Sequence, residues 1–247
     1  MKAPDFIAIC RRQVNRLFNL DLVRVSGQYT LGAHVATVIK QYEVDAIIDV
    51  GANEGAFGLQ LRGLGYRGPI FSFEPVAGPF KVLARRAQAD SDWHVFNFAL
   101  GAEEGQAQIN VSKFSQLSSI LPANGYGSSW ENMRVEHRQD IAIKTLDGLF
   151  SQGVLPGGRH YFLKMDTQGY DLQVFKGAQS SLGNVCCMLS ELSLIPLYEG
   201  MPSYLESLAS GFYPITRQPN LALNEVDCML VRPELSGGAR LTDDAAH

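Results

Sequence analysis

Three carboxylates stand at points where a short apolar run gives way to a turn: Asp49 before Gly51, Glu74 after residues 70–73, and Asp166 after residues 161–165. A fourth, Glu191, follows the apolar run 185–189. These runs are rich in β-branched and aromatic residues, which is how a strand buried on both faces of a parallel sheet reads. Open α/β sheets bind ligands at the carboxyl ends of their strands. Acids that arrive there independently are candidates to position a bound molecule or to take a proton from it.

The turn after residues 46–50 narrows the chemistry. It reads Asp49-Val50-Gly51-Ala52-Asn53-Glu54-Gly55, and helix-compatible sequence follows from Ala56 to Arg62. Glycine lets a ligand approach the backbone, and the first amides of the helix point toward it. Glu74 lies about twenty residues further on, where βαβ nucleotide folds carry the acid that accepts from ribose hydroxyls. Nicotinamide enzymes share that acid, but their fingerprint needs glycine at the position of Asn53. Asp49 would repel a pyrophosphate and welcome an ammonium. The residues therefore point to S-adenosylmethionine as cofactor. An NAD(P)-dependent oxidoreductase and a non-catalytic binding module on the same fold are the rivals.

The elements that must hold these groups follow in order. Residues 31–42 read as a helix, 79–89 as the helix after the second strand, and 93–100 as one alternating third strand interrupted by Asn97. Strands are expected at 107–111 and 141–143, with a polar segment between them that includes His137 and reads as a lid over the ligand. Helices at 146–155 and 171–181 flank the strand ending at Asp166, and a helix at 202–210 precedes a terminal antiparallel pair, 213–216 with 227–231. Residues 4–20 set Phe6, Ile9 and Leu17 against Arg11, Arg12 and Arg16. Such an amphipathic helix can cap the core, make a dimer contact or lie on an anionic membrane surface.

The chain has 247 residues, 46% of them hydrophobic, enough for one α/β domain with a large core. A net charge of −4 gives no global basic field, which argues against nucleic acid as the main partner. Cys10, Cys186, Cys187 and Cys228 lack metal-ligand spacing and read as reduced core thiols of a cytoplasmic protein. No apolar run reaches the roughly eighteen residues of a membrane span.

Successive stretches resemble the FkbM-type S-adenosylmethionine-dependent methyltransferases: Asp-Val-Gly-Ala-Asn-Glu-Gly (49–55), Phe-Glu-Pro (73–75), Asn-Phe-Ala-Leu-Gly (97–101), Ser-Ser-Ile-Leu (118–121), Thr-Leu-Asp (145–147) and Leu-Lys-Met-Asp-Thr-Gln-Gly-Tyr-Asp (163–171). Lys-Gly-Ala (176–178), Glu-Leu-Ser (191–193) and Leu-Tyr-Glu-Gly (197–200) continue the likeness. The resemblance implies the class I (Rossmann-like) methyltransferase fold: a seven-stranded, mostly parallel sheet with one reversed strand, helices on both faces and a β-rich insertion. The chain is expected to divide into a helical extension over 1–44, the methyltransferase domain over 45–233 and a small, polar, Gly-rich flexible tail over 234–247. The resemblance also implies that Asp49, Gly51, Ala52 and Asn53 hold the methionine end of the cofactor, that Glu74 and Pro75 take the ribose, and that Asn97 and Ala99 lie near the adenine. Ser119 would close over the cofactor and Asp166 would sit beside it. Many members carry two glutamates where this chain has Gln168 and Asp171.

Methyl transfer to a hydroxyl needs alignment and a base that acts as the bond forms. Asp166 is the first candidate, Glu191 the second and His137 the third; Asp166 also reads as a cofactor ligand or a helix cap. No metal is expected. The acceptor is expected to be a small molecule or a saccharide on family analogy alone.

Overall fold

A computed structural model describes residues 31–202, 213–219 and 225–231. The expected helices at 4–20 and 202–210, Cys10 and the tail after 233 lie outside them, apart from the opening Pro202.

Seven strands form the main sheet: β1 (Ala46–Val50), β2 (Ile70–Phe73), β3 (Trp93–Phe96), β7 (Tyr161–Met165), β8 (Val185–Ser193), β9 (Tyr213–Pro219) and β10 (Glu225–Val231). Their order is β3-β2-β1-β7-β8-β10-β9. Strands β3, β2, β1, β7 and β8 run parallel, and β10 is reversed between β8 and β9. This is the expected sheet with its one reversed strand.

Both faces of the sheet are covered because its central strands are apolar on both sides. Ile47, Ile70, Phe162 and Leu189 pack on one face with α1 (Leu31–Gln41), α2 (Ala56–Gly63) and α3 (Ala77–Ala87). Ile48, Phe73, Leu163 and Met188 pack on the other with α4 (Leu146–Ser151) and α5 (Asp171–Lys176). Phe73, Phe162 and Tyr161 are fully buried, each contributing roughly 1.5–3 kcal/mol. Cys186, Cys187 and Cys228 are buried in this core.

The stretch 93–100 is not one strand. Only Trp93–Phe96 joins the main sheet; Ala99–Leu100 forms β4, which pairs with β6 (Val135–Lys144) in a second sheet of order β4-β6-β5, with β5 at Gly105–Ser112. The cause is Asn97, whose Nδ2 donates to the carbonyls of Glu74 (2.9 Å) and Pro75 (3.1 Å) and turns the chain off the sheet edge. Strand β6 is also longer than the apolar triplet 141–143 suggested. His137 sits in this exposed strand opposite Val111, not in a lid loop. The helices after β2, β6 and β7 are bounded by 77–87, 146–151 and 171–176, so two of the three are shorter than expected.

Candidate active site

Strand β1 ends over a buried polar row that crosses the sheet. Asp49 is fully buried, opposite Ser72 on β2 and Lys164 on β7. Ser72 Oγ donates to Asp49 Oδ2 at 3.0 Å, and Trp93 Nε1 donates to Ser72 Oγ at 3.0 Å. Lys164 Nζ stands 3.3 Å from Asp49 Oδ1 and 3.5 Å from Asp166 Oδ2, and donates to the Gly51 carbonyl at 2.9 Å. Burial alone would favour the neutral amine, but Asp49 and Asp166 beside it hold the ammonium above the usual lysine range. Asp49 therefore braces the turn from beneath.

The turn itself is held by backbone contacts. The amides of Gly51 and Ala52 both donate to the Phe73 carbonyl at 3.0 Å. Gly51 has φ +72°, and a Cβ there would collide with the Asp166 carbonyl oxygen. Asn53, at φ +47°, donates its amide to Glu74 Oε2 at 2.8 Å, while Val76 donates to Oε1 at 2.8 Å. Glu74 is 4% exposed, and burial pushes its carboxyl up to about 7 against the pull of those two amides. Each carboxylate oxygen keeps a further lone pair.

A second turn, after β7, faces the first. Asp171 accepts from the Thr167 amide (2.9 Å), from Thr167 Oγ1 and from Ser190 Oγ (2.6 Å), so it is Asp171 and not Asp166 that ties this turn to α5. Burial pushes the Asp171 carboxyl up, and these donors oppose it. Gln168 takes a left-handed φ of +53°. Its Nε2 donates to Asp166 Oδ1 at 2.9 Å and to Glu191 Oε2 at 3.0 Å, and Tyr198 Oη lies 3.0 Å from its Oε1.

Between the turns lies a cavity of about 540 Å³, in the range of small-molecule sites. Gly51, Ala52, Asn53, Glu74, Pro75 and Ala99 line one end. Asp166, Gln168, Glu191 and Asp227 line the other. The insertion roofs it with Phe114, Ser115 and Leu117, and Asn53 Nδ2 reaches Ser115 Oγ at 3.2 Å.

Four expected residues stand off the wall. Asp49 lies beneath it, and Asn97 is occupied with the Glu74 and Pro75 carbonyls. Ser119 is buried and donates to the Gln168 carbonyl at 2.7 Å, pinning the roof to the second turn. His137 is exposed on β6. The Thr-Leu-Asp stretch serves the scaffold: Thr145 Oγ1 caps α4, and Asp147 accepts from the Ser180 and Ser181 amides. Among the described residues, no group of three or more His, Cys, Asp and Glu side chains is placed to hold a metal ion.

Sequence reading missed Lys164 and Asp227. A lysine inside an apolar strand was the available sign for the first, since a buried charge needs a partner. Asp227 carried none.

The model of the methyltransferase FkbM domain matches residues 49–209. No curated protein sequence matches the chain. Among solved structures, the chain is similar to methyltransferase FkbM from Methylobacillus flagellatus KT, with 14% identity and a TM-score of 0.50, covering 76% of this chain and 44% of that one. It thus spans less than half the length of that protein, and the likeness is one of fold. An O-methyltransferase from Bacillus cereus in complex with SAH gives 13% identity and a TM-score of 0.48, covering 94% of this chain and 93% of that one. Fibrillarin from Aeropyrum pernix, solved with natively bound S-adenosyl-L-methionine, gives 11% and 0.44, covering 80% and 74%. The match over 49–209 takes in both turns, every strand from β2 to β8 and the roof between them, and by it the chain belongs to the FkbM methyltransferase family.

Proposed function

We propose that the protein is a cytoplasmic S-adenosylmethionine-dependent methyltransferase, its catalytic domain spanning 45–233, that methylates a hydroxyl oxygen of a saccharide or related natural product. The observation that carries this reading is one cavity shared by two turns, lined at the first by Gly51, Ala52 and Asn53 beside Glu74 and at the second by Asp166 and Gln168 beside Glu191. The residues at the first turn fit the cofactor. Gly51 lets the Asp166 carbonyl approach where a Cβ would sit, so the two turns meet at one cavity; Ala52 adds little bulk to its wall, and Glu74 retains lone pairs for the two ribose hydroxyls. When bound, S-adenosylmethionine supplies a methyl group on a positively charged sulfur, already activated for displacement.

The chain's own groups do the rest. Asp166 and Glu191, bridged by Gln168, hold two carboxyl groups in place at the far end of the cavity, a setting that suits a cation. The roof residues Phe114 and Leu117 add apolar surface to the cavity wall. The saccharide preference rests on family membership.

Calorimetry with S-adenosylhomocysteine and with NAD tests the reading. Binding of the first alone is expected. Binding of NAD alone would favour the oxidoreductase, and binding of neither would favour the non-catalytic module. Transfer of labelled methyl to free saccharides then tests the acceptor class; labelling of an amine or a thiol in their place would correct the chemistry.

A further inference from the structure

We propose that Asp227 is the proton-accepting carboxylate of the acceptor end, and that Gln168 reserves it for that role by holding Asp166 and Glu191. This inference rests on the methyltransferase reading above and deepens it by naming where the acceptor's proton goes.

Three carboxylates line that end of the cavity, one on each of three neighbouring strands or their ends: Asp166 after β7, Glu191 on β8 and Asp227 on β10. Their surroundings differ. The single amide nitrogen of Gln168 donates one hydrogen to Asp166 and the other to Glu191. Both carboxylates therefore have an oxygen taken up by the Gln168 side chain. Asp227 has no such donor among the described residues. It lies directly opposite Glu191 in the antiparallel register, which brings the two β-carbons to about 5 Å of each other.

Among the described residues, the charges facing Asp227 come from the main sheet. Glu191 faces it from β8, Asp166 and Lys164 from β7, and on the outer side its register partner on β9 is Gln218. Burial first, and the Asp166 anion second, push the Asp227 carboxyl up to about 6, with Lys164 opposing. A base works best when its proton affinity lies close to the working pH, and a division of acids into held carboxyl groups and one proton carrier is a recurrent way to assign roles.

In the step this implies, the acceptor oxygen bonds to the methyl carbon as the carbon–sulfur bond breaks and leaves its electron pair on sulfur. The hydroxyl proton passes to the Asp227 carboxylate. Atoms and charge balance without a further reactant: the sulfonium charge is cancelled, the carboxylate becomes a carboxylic acid, and the proton is later released to solvent.

The test is a pH titration of the full chain, with aspartate and glutamate carboxyl carbons isotopically labelled and observed by NMR. One cavity resonance is expected to titrate near pH 6, to vanish in Asp227→Asn and to persist in Glu74→Gln. Asp166→Asn retains Asp227 and removes a repelling anion, so the same midpoint should fall; this reads the assignment even where Asp227→Asn does not fold. Gln168→Ala should bring a second cavity carboxyl into the titration. A resonance that survives Asp227→Asn, or a midpoint unmoved by Asp166→Asn, overturns the role of Asp227. An unchanged profile in Gln168→Ala overturns the role of Gln168. S-adenosylhomocysteine calorimetry on the same samples examines the underlying reading separately: if the wild type does not bind, the acceptor step falls whatever the titration gives.

Discussion

The turns after β1 and β7 are built alike and used differently. Each follows a buried parallel strand, and each contains a non-glycine residue in the left-handed region, Asn53 at φ +47° and Gln168 at φ +53°. Each then passes through a left-handed glycine, Gly55 or Gly169. At the first turn the strained residue offers its backbone amide to Glu74. At the second it offers its side-chain amide to two carboxylates. A backbone donor is the same whatever the side chain, so the first turn suits a ligand that every family member must hold. A side-chain bridge changes with one substitution, so the second turn is where acceptor chemistry can vary.

The largest effect should come from filling the first turn. Gly51→Ala places a methyl against the Asp166 carbonyl oxygen at a φ of +72°, which an alanine rarely adopts. Because that oxygen is backbone, one of the two strand ends has to move. The expected outcome is loss of S-adenosylhomocysteine binding by calorimetry, together with a destabilisation of several kcal/mol in urea unfolding. Near-normal binding would mean that the backbone of this turn is not what grips the ligand.

Next is the cation beneath both turns. Lys164→Met strands Asp49 as a buried anion, and removing one partner of a buried pair costs about 3–5 kcal/mol. Adding Asp49→Asn removes the uncompensated charge, so the double variant should recover part of the loss. A double variant no more stable than Lys164→Met would show that Lys164 acts through the Gly51 carbonyl and Asp166, not through Asp49.

How much of this was legible beforehand follows from where each residue gets its meaning. The β1 turn and Glu74 could be read because short apolar runs, glycines and an acid at a fixed spacing are local in sequence. The third strand could not be bounded, because the alternation resumes after the polar interruption at Asn97 and runs on to Leu100, while Asn97 turns the chain toward another sheet. Strand β6 looked like a charged loop because most of Val135–Asp140 is exposed, so the apolar face that usually marks a strand is missing there. Asp227 was invisible for a different reason. Its importance comes from standing opposite Glu191, and that register is set by a reversed strand arriving late in the chain.

A smaller effect separates stability from binding at Glu74. Its folded carboxyl sits at about 7 against an ordinary value of 4.5, so between those limits the folded protein binds a proton that the unfolded chain does not. The contribution of Glu74 is therefore most favourable at low pH and is lost as the pH rises toward 7, by about 3 kcal/mol across the full shift. Cofactor affinity should run the other way, since two ribose hydroxyls want a charged acceptor, and should weaken on acidification through pH 7. Glu74→Gln should flatten both curves. A wild-type affinity that is level from pH 6 to 8 would remove Glu74 from the ribose.

The smallest expected change is the sharpest test of how the roof is held. Ser119 lies behind the cavity wall, its hydroxyl committed to the Gln168 carbonyl while also accepting from the Leu121 amide at 3.0 Å. Ser119→Ala should cost about 1 kcal/mol for the buried carbonyl left without its donor. Because Ser119 touches the second turn and not the cavity, S-adenosylhomocysteine affinity should stay within about twofold, well under the 1.4 kcal/mol of a tenfold change. A loss of tenfold or more would mean that Ser119 meets the ligand directly, and that the insertion closes further over the first turn once the cavity is filled.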